Sequence, residues 1–153
     1  MLFVVDTSCL IVLQRLNWLE EFLSHADDTF ICPPRVIQEL KNDKKLLKWL
    51  KTGVVPVIEV KKPMSIAGIS ETDSEIIALA TEKGWSILSE DLLLRQKAEK
   101  LAIPAFNVAE LIVLWYQNVR IDQNACITRL NTLVAKTALS KTVFRELVEI
   151  IKS

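Results

Sequence analysis

Short apolar segments alternate with longer helical patterns over most of the chain, and this alternation constrains the fold more than any other feature. Strands are predicted at 2–5, 29–32, 85–88 and 105–107, and an edge strand or bent strand is predicted at 54–60, which contains Pro56. The segments between them, beginning with a helix predicted at 8–23, have helical patterns. Parallel strands need long connections, which are usually helical. The sequence therefore predicts an α/β fold in three layers, with a central, mostly parallel sheet and helices on both faces.

The C-terminal part of the chain contains helical patterns alone. Two helices are predicted at 124–136 and 142–152, and Ser140 is a suitable cap for the second. A chain of 153 residues suits a single globular fold. We therefore predict one domain at 1–120 and a C-terminal helical extension at 121–153 that packs on the same domain.

The composition limits where the protein can act. Lysine and arginine total 19, as do aspartate and glutamate, so any nucleic-acid contact must come from a local basic patch. The apolar run 108–116 is interrupted by Glu110 and is far shorter than the roughly 20 residues that cross a membrane. The three cysteines have no close spacing, and we expect them to be reduced and buried. These features predict a cytoplasmic protein without a membrane segment.

Acidic residues follow the predicted strands or open the next helix. Asp6 ends the first strand, Glu39 lies about two helical turns beyond the second, and Asp91 follows the strand at 85–88. Asp73 opens the helix that leads into that strand. Ligands of open parallel sheets bind beyond the carboxyl ends of the strands. The four acids are therefore candidates for one common site.

Each acid also has a purely structural interpretation. Asp6, Thr7 or Ser8 can cap the first helix, and Asp91 can cap the helix that follows it. Thr72–Glu75 fits a capping box, and Glu39 can be a solvated residue on a helix face. Asp6 is the hardest to explain in this way, because it ends an apolar strand and burying a lone carboxylate is costly. Two like charges about 4 Å apart repel by roughly 4 kcal/mol at an effective dielectric constant of about 20. A divalent cation would stabilise such a cluster, and oxygen ligands favour Mg²⁺ or Mn²⁺.

Four segments, in their order and approximate spacing, resemble the acidic motifs of the PIN-domain family. They are Val4–Ser8, Val36–Leu40, Asp73–Ala80 and Ile87–Asp91. The resemblance extends from the first residues to about Asn118. Arg95, Ala98 and the paired terminal helices resemble a prokaryotic PIN subfamily of largely unassigned function, which is similar to the VapC-like toxins of toxin–antitoxin pairs.

This resemblance implies a metal-dependent endoribonuclease that hydrolyses phosphodiester bonds of RNA with Mg²⁺ or Mn²⁺. It implies Asp6 and Asp91 as direct metal ligands, and Glu39 and Asp73 as residues that act through water or orient the nucleophile. Glu90 is an alternative to Asp91, and Glu75 to Asp73. The residues expected to tune the carboxylates or contact substrate are Ser8, Ser89 and Arg95, together with Lys41, Lys44, Lys45, Lys48, Lys97 and Lys100.

The expected partners are an RNA substrate, an antitoxin protein and a second copy of the chain in a homodimer. The alternative is a degenerate PIN-like module that binds RNA or a partner protein without cleavage. A haloacid dehalogenase phosphatase needs a second acid two residues after the first, where this chain has Ser8. A nucleotide-binding domain needs a glycine-rich turn, which the three glycines do not form.

Overall fold

Residues 1–25 and 27–153 are described in the computed structural model, and their elements follow the predicted alternation. The strands are β1 (Leu2–Val5), β2 (Thr29–Ile31), β3 (Ser86–Leu88) and β4 (Ala105–Phe106). The helices are α1 (Thr7–Arg15), α2 (Leu19–Leu23), α3 (Pro34–Glu39), α4 (Lys44–Leu50), α5 (Glu71–Lys83), α6 (Leu92–Lys100), α7 (Val108–Gln117), α8 (Gln123–Lys136) and α9 (Lys141–Lys152).

The strands form one parallel sheet in the order β2-β1-β3-β4. In register, Val4 of β1 lies between Ile31 of β2 and Ile87 of β3. Phe3, Val4 and Val5 are all buried. Because successive side chains of a strand point to opposite faces, both faces of the sheet must be covered. The predicted fold class, an α/β fold with a parallel sheet flanked by helices, is confirmed.

The strand order places a crevice between β1 and β3. From β1 the chain first adds β2 on one side and then crosses to add β3 on the other. Such a reversal leaves a crevice at the carboxyl ends of the two central strands, where ligands of open α/β sheets bind. Asp6 directly follows β1, and Ser89 directly follows β3, so both stand at this crevice.

Two predicted elements differ from the structure. The helix predicted at 8–23 is broken into α1 and α2 by Asn17, which has a positive φ of 56°. The strand predicted at 54–60 is wrong, because this segment makes only a single parallel bridge, between Cys32 and Val57. Pro56 has no backbone N–H, so it cannot donate a hydrogen bond to a neighbouring strand. The pairing of this segment therefore does not extend beyond the bridge at Val57.

The chain divides into two compact units, 1–106 and 107–153. The first contains the whole sheet, and the second contains α7, α8 and α9, which pack on one another. The domain boundary predicted at residue 120 stays a prediction. In the structure, α7 packs with the two terminal helices, α8 and α9, in the second unit. Among the described residues, no helix has the length and apolar character needed to cross a membrane.

We predict that Gly84→Ala destabilises the fold by about 1 kcal/mol, because Gly84 ends α5 in the left-handed conformation with a φ of 67°. A Cβ at this position would meet no atom within 4 Å, so the cost is conformational and not steric. Urea denaturation measures the change. Gly84→Asn is the matched control and should lose less stability, because asparagine tolerates this conformation. Equal losses in the two variants would contradict this explanation.

Candidate functional site

Asp6 is a buried carboxylate at the start of the crevice. Its side chain is 5% exposed, and its backbone N–H donates to the carbonyl of Leu88 across the β1–β3 pair at 3.0 Å. As the N-cap of α1, its Oδ1 accepts the N–H of Thr7 at 2.7 Å. Burial raises the pKa of Asp6, and the hydrogen bonds that it accepts oppose this shift. Asp6 therefore caps α1, as its structural interpretation predicted, but this role does not remove the free-energy cost of burying its charge.

Two serine hydroxyls hold the other oxygen of Asp6. Ser8 and Ser89 each donate to Asp6 Oδ2 at 2.7 Å. The same two hydroxyls accept consecutive backbone N–H groups, Ser8 that of Glu90 and Ser89 that of Asp91, both at 3.0 Å. A carboxylate has about four acceptor positions. The hydroxyls of Ser8 and Ser89 and the N–H of Thr7 occupy three of these positions on Asp6, which leaves about one for a ligand.

This arrangement distinguishes between the two roles expected for the serines. Ser89 is fully buried, and its hydroxyl is engaged with Asp6 and the backbone of Asp91. It is therefore placed to orient a carboxylate and not to contact phosphate directly. Ser8 is only half-buried, but its hydroxyl has the same two kinds of partner.

Glu39 is brought to the same region by the residue after Asp6. It is the last residue of α3 and is exposed, and its Oε2 accepts a hydrogen bond from Thr7 Oγ1 at 2.7 Å. Glu39 also contributes to the raised pKa of Asp6. Thr7 was expected only as a possible cap of the first helix and was not among the predicted site residues. Its position directly after Asp6 was the available signal, but the partner of its hydroxyl lies 32 residues away.

Asp73 lies in the first turn of α5, and its environment is acidic. Burial raises its pKa to about 6, and the charges of Asp6, Asp91 and Glu39 add to the increase. The helix is capped by Ser70, whose Oγ accepts the Asp73 N–H at 3.1 Å. The capping box predicted at Thr72–Glu75 is therefore wrong, since Thr72 lies inside the helix and is buried.

Asp91 caps α6 with one oxygen. Its Oδ1 accepts the N–H groups of Leu93 and Leu94 at 2.9 and 3.2 Å, while Oδ2 has no hydrogen bond within the described part of the chain. Arg95, which was expected to contact substrate, donates from Nη1 to the carbonyl of Ser89 at 2.8 Å. This contact ties α6 to the end of β3, and it adds no ion pair to the acidic residues.

Glu75, the alternative to Asp73, has a different partner. Its Oε2 pairs with Arg35 Nε at 3.0 Å, and its Oε1 accepts the backbone N–H of Arg35 at 3.3 Å. Arg35 Nη1 also pairs with Glu71 at 2.9 Å. These contacts connect α3, which carries Glu39, to α5, which carries Asp73. The geometry thus favours Asp73 as the acid available for a ligand and Glu75 as part of the scaffold.

The acidic cluster is defined as Asp6, Glu39, Asp73 and Asp91. Among residues 1–25 and 27–153, no lysine or arginine forms an ion pair with any of the four. Burial and neighbouring carboxylates are the causes that raise the pKa of Asp73, and the hydrogen bond from Ser70 is the cause that lowers it. The arrangement therefore concentrates negative charge at the crevice between β1 and β3.

The donor set suits a hard cation, because every available atom is a carboxylate oxygen. Within the described ranges, no group of three or more histidine, cysteine or acidic side chains is arranged so that it could hold a metal ion by itself. Mg²⁺ commonly binds through one or two carboxylates and keeps several waters. The residues thus fit a partly hydrated ion better than a cation enclosed by protein ligands.

We predict that Asp73→Asn raises the melting temperature of metal-free protein at pH 7–8. The pKa of Asp73 is raised on folding, so the contribution of this group to stability is fully present below the ordinary value of 3.8 and is lost as the pH rises through about 6. The variant lacks this loss, so its advantage should disappear near pH 4. Thermal melts in EDTA across this pH range test the prediction. A variant that is no more stable than wild type at pH 8 would contradict the inferred repulsion.

Comparison with known proteins agrees with this architecture. Among solved structures, a PilT N-terminus domain protein, SSO1118, from the hyperthermophilic archaeon Sulfolobus solfataricus P2 is similar, with a TM-score of 0.58 and 21% identity. The match covers 72% of this chain and 90% of that one, and at this identity it shows the fold alone. No curated protein matches the chain. A family model, DUF3368, described as a PIN domain, matches residues 2–153. The chain therefore belongs to the PIN-domain family, whose fold is of the nuclease type.

Proposed function

We propose that this protein is a metal-dependent endoribonuclease that hydrolyses phosphodiester bonds of RNA in the cytoplasm. The observation that carries the proposal is the acidic cluster, in which burial and the carboxylates of Asp6, Asp91 and Glu39 raise the pKa of Asp73. No lysine or arginine among the described residues forms an ion pair with the four acids. Holding like charges together in this way is unfavourable for the protein alone. A bound Mg²⁺ or Mn²⁺ would remove the cost, and family membership supports the same chemistry.

Asp6 and Asp91 are the proposed direct ligands of the metal. Each uses one side-chain oxygen to accept a backbone N–H at the start of a helix, which fixes the orientation of the carboxylate. Glu39 and Asp73 are proposed to hold water or orient the attacking nucleophile. When bound, a divalent cation supplies a nucleophilic water at neutral pH and offsets negative charge at the phosphate.

The hydroxyls of Thr7, Ser8 and Ser89 are proposed to act on the carboxylates. Thr7 holds Glu39, whereas Ser8 and Ser89 hold Asp6 through Oδ2. The two serine contacts prevent rotation of the Asp6 carboxylate, so the direction of its remaining acceptor position is fixed. Preorganised ligands lose less freedom when they bind an ion, so the serines should contribute to metal affinity.

Lysines are the proposed contacts to the RNA backbone. Lys41, Lys44, Lys45 and Lys48 are all exposed and follow Glu39 in the chain. Since the net charge of the protein is zero, a local group of this kind is the way in which it can attract phosphates. Arg95 is a less direct candidate, because its guanidinium already donates to the Ser89 carbonyl.

The proposed biological role is that of the toxin of a toxin–antitoxin pair, acting as a homodimer. The support is the likeness of the sequence motifs to VapC-like toxins. An antitoxin would be encoded by a small gene beside this one. The second candidate function, a PIN-like module that binds RNA or a partner without cutting, requires a defective acidic site. The presence of all four acids at the crevice favours cleavage.

We predict that Asp6→Asn lowers Mn²⁺-dependent cleavage of single-stranded RNA by about 100-fold or more, because it removes a direct metal ligand. Gel analysis of end-labelled RNA measures the rate, and circular dichroism confirms folding. The matched control is Asp43→Asn, which changes another N-cap aspartate, one that accepts the Leu46 N–H. Asparagine caps helices as well as aspartate does, so this control should keep wild-type cleavage. Equal activity of wild type and Asp6→Asn on a broad RNA panel would refute the enzyme proposal.

A separate prediction concerns the toxin role. Expression of the wild-type chain in a bacterial host should arrest growth, whereas Asp6→Asn should not, because toxicity requires cleavage. Co-expression of the neighbouring small gene should restore growth. Growth that is unaffected by wild-type protein, with cleavage still measurable in vitro, would reject the toxin role and leave the ribonuclease proposal intact.

A further inference from the structure

Two leucines are exposed at the start of α6, directly after Asp91 of the acidic cluster. Leu92 is 58% exposed and Leu93 is 53% exposed, and they are the most exposed leucines among the described residues. Acidic side chains are favoured in the first turn of a helix, but the first turn of α6 has none. The helix packs on the core through Leu94 and Ala98, which are its buried residues. The packing of α6 therefore does not account for the two exposed leucines.

Hydrogen bonds join the first turn of α6 to the acidic cluster. The backbone N–H of Leu93 donates to Asp91 Oδ1 at 2.9 Å, and that of Leu94 donates to the same oxygen at 3.2 Å. Leu92 follows Asp91 in the chain, so their Cα atoms are about 3.8 Å apart. Both exposed leucines are therefore in direct contact with a proposed ligand of the metal.

Leu93 lies on the side of α6 that faces the segment before α5. Leu93 and Lys97 are four residues apart and share one face of the helix. The Nζ of Lys97 would lie 3.9 Å from a Cβ added at Gly68, so this face is directed towards the loop that leads into α5. The charge of Asp91 also helps to raise the pKa of Asp73 in the first turn of α5. Leu93 therefore lies on the side of α6 that is nearest to the start of α5.

The same face of α6 also carries a positive charge. Lys97 is half-buried and forms no ion pair with any residue of 1–25 or 27–153. It lies about 6 Å beyond Leu93 along the helix axis. An apolar side chain followed by a cation suits a nucleotide, because a base has flat apolar faces and a phosphate is anionic. This order of side chains favours a nucleic-acid strand over a purely apolar partner.

We propose that Leu92 and Leu93 bind one nucleobase of the RNA strand beside the scissile phosphate and thereby position the strand at the acidic cluster. The inference rests on the proposed ribonuclease function. Every base has an apolar face, so the contact does not select among the four bases. Covering the two side chains removes apolar surface from water, which favours binding. Both leucines are positioning residues, because neither side chain can bind a metal or transfer a proton.

The test is the steady-state kinetics of Mn²⁺-dependent cleavage of a single-stranded RNA by the double variant Leu92→Ala/Leu93→Ala. Alanine favours the helix and leaves the backbone hydrogen bond to Asp91 in place. We expect KM to rise about tenfold, the effect of losing roughly one buried apolar side chain. The value of kcat should change little, because the base contact is the same in the substrate complex and in the transition state. Leu92→Met/Leu93→Met should keep the wild-type KM, since methionine restores the apolar surface.

Leu101→Ala is the matched control. Leu101 is 48% exposed and is the C-cap residue of α6, about 13 Å along the helix from Leu92. The control shortens a comparably exposed leucine at the far end of the same helix, so the wild-type KM is expected. Thermal melts in increasing Mn²⁺ supply a second readout. All of these variants should keep the metal-dependent stabilisation of the wild type, because the leucine side chains do not bind the metal.

Three results would overturn the proposal while leaving the ribonuclease function intact. The first is a wild-type KM in the double alanine variant; if its oligomeric state in sedimentation also changes, the leucines contact a protein instead. The second is an equal rise of KM in Leu101→Ala. The third is loss of the Mn²⁺-dependent stabilisation in the double alanine variant, which would show that the leucines support the metal site and not the strand.

A binding measurement separates failure of this contact from failure of the enzyme. Fluorescence anisotropy with labelled single-stranded RNA in Mn²⁺ compares the wild type, the double alanine variant and Leu101→Ala. If the wild type does not cut RNA but the double alanine variant alone binds it about tenfold more weakly, the leucine contact stands and the ribonuclease proposal fails. If the wild type does not cut RNA and the leucines do not affect binding, both proposals fail.

Discussion

The buried carboxylate of Asp6 is the feature on which the rest of the crevice depends. It lies at the junction of β1 and β3, where a charge has little access to water and where its pKa is raised by burial. Hydroxyls of Ser8 and Ser89 satisfy one oxygen, and their own acceptor positions are used by backbone N–H groups after β3. The carboxylate thus organises the ends of both central strands.

The scaffold around this junction separates structural contacts from those left for chemistry. Arg35 and Glu75 join α3 to α5 through both an ion pair and a backbone hydrogen bond. The contact also fixes the spacing of the two helices that carry Glu39 and Asp73. Arg35 is thereby paired with acids outside the cluster, and the cluster keeps its full negative charge. The same sequence segment therefore contains one acid that supports the fold and another that is costly for it.

Electrostatic cost and function are connected in this protein. Burial and neighbouring like charges raise the pKa of Asp73 to about 6, and the ionised group reduces the stability of the metal-free fold above that pH. Removing such a group should make the metal-free fold more stable above that pH. Proteins commonly accept such a loss of stability at functional sites.

The sequence alone determined the α/β class, the parallel sheet and the four acidic positions, because strand and helix periodicity and the residues at strand ends are local signals. Two local patterns gave wrong predictions. The helical pattern at 8–23 is broken at Asn17, which has a positive φ, and the N-cap of α5 is Ser70 and not Thr72. The hydrogen bond from Thr7 to Glu39, the two serines on Asp6 and the pairing of Glu75 with Arg35 were decided by the tertiary structure. Each of these contacts joins residues at least 32 positions apart, apart from Ser8 on Asp6. Only the strand order and the packing of α3 against α1 and α5 bring such residues together, and no local pattern encodes that.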